Sequence, residues 1–233
     1  MEAIVLAGGL GKRLRSAVPN LPKPMAPING KPFLEYLFDY WLQQGIKRFI
    51  LSVGYKSEVI REQFGTKYKD ADLNYAIEKE PLGTGGGLLL SIRQLKSKEP
   101  FLLLNGDTFF AVNLENLFKH HNDCNSDITL SLVKTPNNKR YSAILLNKYG
   151  LINSIERRIE SSKEDLSNGG VYIMEKNLFE KCKLTSKKKC SLEDHLIPDL
   201  LKQKRRVAGF VSSAKFIDIG VPSDYNRAEK ILT

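Results

Sequence analysis

Three short apolar runs, each stopping at or just before a glycine, constrain this chain more than any other feature. Ala3-Ile4-Val5-Leu6 runs into Gly8-Gly9, Phe49-Ile50-Leu51-Ser52-Val53 into Gly54, and Phe101-Leu102-Leu103-Leu104 into Asn105-Gly106. Their length and lack of polar alternation read as strands buried on both faces, the habit of parallel sheets. Between the first two, Pro32 opens a segment in which Phe33, Leu37 and Trp41, then Leu34, Phe38 and Leu42, recur every fourth residue, so one wide face of a helix is apolar. Further helices are predicted at Ser57 to Phe64, Gly87 to Leu95 and Leu114 to His121, with a short strand at Leu73 to Ile77. Strand and helix alternating in this way define a three-layer, doubly wound α/β sheet.

After about residue 127 the pattern turns β-rich. Asp127 to Thr135, Ser142 to Asn147 and Leu151 to Ile155 read as strands, the last two joined by the turn Lys148-Tyr149-Gly150 into an antiparallel hairpin added to the sheet. A strand at Val171 to Met174, helices at Glu175 to Cys182 and Leu192 to Gln203, strands at Val207 to Val211 and Lys215 to Ile219, and a terminal helix from Pro222 complete the chain. No linker, repeat or low-complexity tract interrupts it, so residues 1–233 read as one α/β domain.

Composition narrows the class. A length of 233 residues is enough to bury a core without disulfide or metal staples, and 42% hydrophobic with 27% charged residues excludes a chain too polar to fold. The net charge of +10 favours anionic partners such as phosphates, nucleotides or nucleic acid. Cys124, Cys182 and Cys190 are an odd, sparse set that fits no common zinc spacing and reads as reduced thiols. The N-terminus puts its apolar run before its basic residues, the reverse of a secretory signal, and no segment approaches a membrane span. A cytoplasmic protein with no membrane partner is expected.

The first strand delivers the chain into Ala7-Gly8-Gly9-Leu10-Gly11-Lys12-Arg13-Leu14, where glycines let the backbone approach an anion and Lys12, Arg13 and Arg15 add positive charge. This is not a Walker A loop: Arg13 follows Gly11-Lys12 where Ser or Thr is required, and the leading glycine is missing. Nor is it a dinucleotide fingerprint, because Leu14 occupies the third glycine position, as Leu88 does after Gly83-Thr84-Gly85. A tight turn with solvated basic residues is the plainer alternative. Ten residues on, Pro22-Lys23-Pro24-Met25 presents one lysine from a stiff segment.

The combination LAGGLGKRL followed by PKPM resembles the signature of the sugar-phosphate nucleotidyltransferases, which join a sugar 1-phosphate to a nucleoside triphosphate. The resemblance runs from residue 3 to about residue 227 and implies a Rossmann-like three-layer sandwich. Its central sheet would be mostly parallel, with a nucleotide-binding part over about 1–125 and an added antiparallel, β-rich sugar-binding part over about 126–233. It implies that Leu6, Ala7, Gly8, Gly9, Gly11 and Arg13 hold the nucleotide, with Glu80, Pro81, Gly83 and Thr84 of a base-recognition loop. Asp107 ends the central strand, where ligand sites form in open α/β sheets, and with Asp218 of Phe216-Ile217-Asp218-Ile219-Gly220 it would hold Mg²⁺.

On the sugar side the resemblance implies contacts from Gly106, from Asn168-Gly169-Gly170 and from Glu193 in Ser191-Leu192-Glu193-Asp194. Ser191 with Asp194 also reads simply as a helix N-cap. The family often carries a Glu-Lys pair whose lysine binds the sugar phosphate; here the segment is Ile155-Glu156-Arg157-Arg158, which puts Arg158 in that role as a planar fork. Arg13, Lys23 and Asp107 are the implied catalytic residues. The chemistry is attack of a sugar 1-phosphate oxygen on the nucleotide α-phosphorus with pyrophosphate leaving.

The run APINGKPFLEYLFDYW with EKEPLGTGGG is most similar to the guanylyltransferase branch acting on D-glycero-α-D-manno-heptose 1-phosphate, with mannose 1-phosphate enzymes close by. Thymidylyl, cytidylyl and uridylyl branches share the skeleton, so no physical rule reads the base. A homodimer is implied by the family alone. Lys187-Lys188-Lys189 and Lys202-Gln203-Lys204-Arg205-Arg206 leave a basic nucleic-acid binder as the alternative class, but no stacking or groove-reading signature accompanies them, and no nucleic-acid partner is expected. A catalytically dead nucleotide-sugar sensor is disfavoured by the intact Arg13, Lys23, Asp107 and Asp218.

Overall fold

A computed structural model of the chain describes residues 1–134, 142–156, 165–181 and 189–232. In chain order, β1 (Ala3–Ala7) passes through tight helical turns at Lys12–Leu14 and Lys23–Met25 to a small ribbon, β2 (Pro27–Ile28) and β3 (Lys31–Pro32), and then to α1 (Phe33–Gln43). β4 (Arg48–Val53), α2 (Ser57–Phe64), β5 (Lys67–Tyr68), β6 (Ala71–Ile77), α3 (Gly83–Ile92), β7 (Phe101–Asn105), β8 (Thr108–Phe110), α4 (Leu114–Asp123) and β9 (Ile128–Lys134) follow. The second half holds the hairpin β10 (Ala143–Leu146) and β11 (Ile152–Glu156), the long β12 (Leu166–Met174) and α5 (Asn177–Lys181). A π-helical turn at Leu192–Leu196 then leads into α6 (Ile197–Lys202), β13 (Val207–Val211), β14 (Phe216–Asp218) and α7 (Pro222–Ile231).

One sheet runs β11-β10-β12-β7-β1-β4-β6-β5, with β9 beside β12 and β13 beside β9. β1 lies parallel to both neighbours, Val5 opposite Leu51 and Leu104, and β4 lies parallel to β6. β12 enters antiparallel to β7 and to β9, and the β10–β11 hairpin extends that edge. The fold is therefore the expected mixed α/β sheet, parallel across β7-β1-β4-β6, antiparallel where β5 meets β6 and where β12 meets β7 and β9, with β13 parallel to β9. Both faces of β1 are buried: Ala3, Val5 and Ala7 enter one core with Trp41, Phe33 and Phe38 of α1. Ile4 enters the other with Leu88 and Leu89 of α3 and Leu200 of α6. That two-residue alternation between two apolar layers is why the strand reads as a continuous apolar run.

Two element starts lie four or more residues from the sequence expectation, each for a tertiary reason. Helix α3 begins at Gly83 rather than Gly87, so the glycine-rich stretch forms its first turns. Each glycine there costs roughly 1 kcal/mol of helix propensity, but a Cβ at Gly85 would lie 2.7 Å from Cys190 Sγ and one at Gly87 2.6 Å from Ser52 Oγ. Close packing wins over propensity. β12 begins at Leu166 rather than Val171, and its register against β9 shifts between Asn168 and Tyr172. That irregularity turns on Gly170 at φ 73°, a backbone conformation costly for other residues. The expected helix from Leu192 is divided into the π-helical turn and α6, with Ser191 capping it by accepting from the Asp194 amide at 3.0 Å. Thr135, Arg158, Cys182, Lys187 and Lys188 lie outside the described residues.

Candidate active site

The strands β1 and β7 end side by side, and Gly106 N donates to Leu6 O at 2.9 Å. A Cβ on Gly106 would stand 2.7 Å from that carbonyl, so only glycine lets the two strand ends approach this closely. Gly106 thus shapes the site from beneath and lines neither cleft. Above these ends lie two clefts, of about 430 Å³ and 590 Å³, with Arg13, Lys23, Asn105 and Asp107 on the walls of both. A crevice at the carboxyl ends of parallel strands is where α/β sheets place ligands.

The first cleft is walled by Leu6, Ala7, Gly8, Gly9 and Gly11, with Pro81, Gly83 and Thr84 opposite, which brings together almost all of the predicted nucleotide set. Leu14, buried, pins the glycine loop by donating from its amide to Gly11 O at 3.0 Å. Arg13 stays exposed on the cleft rim, whereas Arg15 lies over the Tyr55 ring at 5.2 Å. Glu80 is exposed and outside the lining; the carboxylate on this wall is Glu78, which accepts from Ser52 Oγ and from Leu82 N, both at 3.0 Å. Lys189 also reaches this cleft. Sequence reasoning missed Glu78 because nothing in Ile77-Glu78-Lys79-Glu80 distinguishes it from its acidic neighbour until β6 is placed.

Lys23 sits where both clefts meet. Pro22, Pro24 and the buried Met25 hold its tight turn, and Met25 N donates to Pro22 O at 2.8 Å. The ammonium pairs with Asp107 Oδ2 and lies 3.9 Å from Asp218 Oδ1. The two aspartates converge because β14 pairs antiparallel with β8, placing Asp218 opposite Thr108, while Ile219 N donates to Asp107 O at 3.0 Å. Sequence reasoning found both aspartates but not β8, whose three residues are too short to read as a strand. Burial pushes the Asp107 carboxyl upward, but the charge and hydrogen bond of Lys23, with the Thr108 hydroxyl, outweigh it and hold its pKa below the ordinary value.

The second cleft takes Asn168, Gly170, Glu193 and Asp194 along with Asp218, against an apolar wall of Leu130, Ile144, Ile155 and Phe216. Gly169 is not on it; a Cβ there would run into the Phe110 ring at 2.4 Å, so its smallness serves packing. Asn168 donates to Tyr172 OH at 2.6 Å and accepts from Gly170 N at 3.0 Å, both within the bulge. Asn105 reads in the sequence only as a strand-end residue; its Oδ1 is buried with no hydrogen-bond partner among the described residues, and it lies on both clefts. Burial of the Tyr172 phenol, beside Glu193, raises its pKa well above the ordinary value, so it is a neutral donor.

This geometry has counterparts among known proteins. Residues 2–233 match the family described as Nucleotidyl transferase, and the chain belongs to that family. It is 46% identical over 232 residues to a D-glycero-alpha-D-manno-heptose 1-phosphate guanylyltransferase of Aneurinibacillus thermoaerophilus, covering all of this chain and 98% of that one. It is 43% identical to a Campylobacter jejuni protein of the same description, covering 97% of each. Among solved structures, HddC from Yersinia pseudotuberculosis superposes with a TM-score of 0.86 at 33% identity, covering 100% of this chain and 99% of that one. The same protein complexed with GMP-PN superposes at 0.85. The fold and the enzymatic class that the sequence motifs implied are thus those of the relatives. No helix among the described residues is long and apolar enough to cross a membrane.

Proposed function

We propose that the protein transfers a guanylyl group from GTP to D-glycero-α-D-manno-heptose 1-phosphate, giving the GDP-sugar and pyrophosphate. The observation that carries this reading is the meeting of two clefts at one lysine and two aspartates, joined to full-length identity of 46% with a protein described by that reaction. A transfer between two phosphorylated substrates needs their phosphates to meet at one cationic point. Gly8, Gly9, Gly11 and Arg13 hold the triphosphate, Lys23 neutralises charge developing at the α-phosphorus, and the sugar phosphate oxygen attacks in line as pyrophosphate leaves. Asn168 and Glu193 orient the sugar, and Arg158 takes its phosphate.

The donor set fits Mg²⁺. Asp107 and Asp218 both face the Lys23 ammonium, so their oxygens converge on a shared cationic position. No group of three or more His, Cys, Asp or Glu side chains suited to a metal occurs among the described residues. Two carboxylates without a protein cage suit an ion that fills its shell with substrate phosphates and water. When bound there, Mg²⁺ would supply charge neutralisation across the phosphates.

The protein works in this reading as a homodimer without a nucleic-acid partner. Of the C-terminal basic run, Arg206 donates to the carbonyls of Cys124 and Asn125, and Arg205 lies 3.9 Å from Asp127. Those side chains are already engaged in tying the turn between α6 and β13 to the turn between α4 and β9. Pyrophosphate release with Mg²⁺, crossing five nucleoside triphosphates with heptose, mannose and glucose 1-phosphates, tests the substrates. One strong cell at GTP with the manno-heptose is expected; a dominant mannose or non-guanine cell overturns the branch, and silence throughout overturns the transferase reading.

A further inference from the structure

The two clefts are joined through a single carboxylate. Glu193 Oε2 accepts from Thr84 Oγ1 at 2.8 Å and Ser191 Oγ at 3.3 Å, and its Oε1 accepts from Tyr172 OH at 3.3 Å. Thr84 lies on the nucleotide cleft, Glu193 on the sugar cleft, and Tyr172 is fully buried. The backbones are stitched at the same place: Gly85 N donates to Cys190 O at 3.0 Å, and Cys190 N to Leu82 O at 2.9 Å. The start of α3 and the π-helical turn therefore behave as one piece.

Donor counting shows what Thr84 does there. A threonine hydroxyl has one proton, which goes to Glu193, and one of its lone pairs already accepts from Leu192 N at 2.7 Å. It has no proton left for a nucleotide. Tyr172 likewise gives its one proton to Glu193 while accepting from Asn168 Nδ2. An ionised carboxylate offers about four acceptor sites; donors among the described residues fill three of them, which leaves Glu193 oriented for about one sugar hydroxyl.

We propose that Thr84 and Tyr172 are positioning residues for the sugar substrate: they fix the Glu193 carboxylate, and Thr84 does so from the nucleotide side. Nucleotide contact with the α3 turn thus bears on sugar placement, although Thr84 itself touches no sugar. This deepens the transferase reading and rests on it.

The test is steady-state kinetics with each substrate varied in turn, on Thr84→Val, Thr84→Ser, Tyr172→Phe and Glu193→Ala. Thr84→Val should raise KM for the sugar 1-phosphate about tenfold, the scale of losing one hydrogen bond to a charged group. Its nucleotide KM should move less than about twofold, and Thr84→Ser, which keeps the hydroxyl, should return within about twofold of wild type. Tyr172→Phe should shift the same sugar constant, and adding Thr84→Val to Glu193→Ala should cost nothing further, since without the carboxylate Thr84 has nothing to position. An effect confined to the nucleotide KM, failure of serine to rescue, or additive losses in the double variant overturns the proposal. Wild type silent toward every sugar 1-phosphate overturns the transferase reading and this one with it; an active wild type matched by Thr84→Val overturns this one alone.

Discussion

Lys23 is one side chain held by four neighbours: two prolines fix its backbone, and two aspartates hold its charge at the point shared by both clefts. Its side chain is one-tenth exposed, so replacing it removes a mostly buried positive charge from between Asp107 and Asp218. Lys23→Ala should lower kcat by roughly 100-fold or more at saturating concentrations of both substrates; turnover near wild type in a folded variant would remove Lys23 from the chemistry. A second residue makes a prediction about stability. His121 is buried, its Nδ1 paired with Thr129 Oγ1 at 2.8 Å and its Nε2 3.4 Å from Glu175 Oε1. Burial lowers its pKa below 6.5 despite the opposing pull of Glu175. The unfolded chain therefore binds the proton more readily than the folded one, and the stability this site contributes is present above pH 6.5 and is lost as pH falls below it. Thermal melts between pH 7.5 and 5 should show a shallower fall for His121→Gln than for wild type over that window; parallel curves would show that His121 does not titrate as argued.

Short elements, not the long ones, build the centre. The β8–β14 pair is three residues deep and sets Asp218 beside Asp107, so the second carboxylate arrives from more than a hundred residues away by strand pairing alone. Asp218→Asn should raise the Mg²⁺ concentration for half-maximal rate roughly tenfold or more, read from rates across a Mg²⁺ titration; an unchanged midpoint would exclude Asp218 as a metal ligand. The junction of β1 and β7 makes a separate claim on stability. Gly106→Ala sets a methyl against the Leu6 carbonyl, a backbone atom that moves only with its strand. Overpacking of this kind costs roughly 1–3 kcal/mol, or a fall in Tm of about 2–12 °C for a chain of this size. A melt within a degree of wild type would show that the strand ends separate easily.

Across the whole molecule, what could be read from the sequence was what periodicity and composition encode. Ala3–Ala7, Arg48–Val53 and Phe101–Asn105 are apolar on both faces because helices cover both, so the parallel half of the sheet was legible. The motif order made Arg13, Lys23, Asp107 and Asp218 legible too, and the structure brings all four around the junction of the clefts. Three things were not legible, each because it depends on partners distant in the chain. The start of α3 at Gly83 is set by contact with Cys190 against the local helix propensity. Glu78 and Asn105 become cleft residues only once β7 is placed beside β1 and β6 beyond β4 in the sheet. Tyr172 reads as ordinary strand core until Asn168 and Glu193 are found on its hydroxyl.

In this mechanism both substrates meet at the Lys23–Asp107 junction and react directly, with no nucleotidyl group parked on the protein. The most direct measurement is exchange of labelled pyrophosphate into GTP in the presence of Mg²⁺ and the absence of any sugar phosphate or nucleotide sugar. Direct transfer gives no exchange above the blank, with exchange appearing once the GDP-sugar is added. Label entering GTP with the nucleotide alone would reveal a covalent nucleotidyl intermediate and contradict the shared junction as the place of reaction.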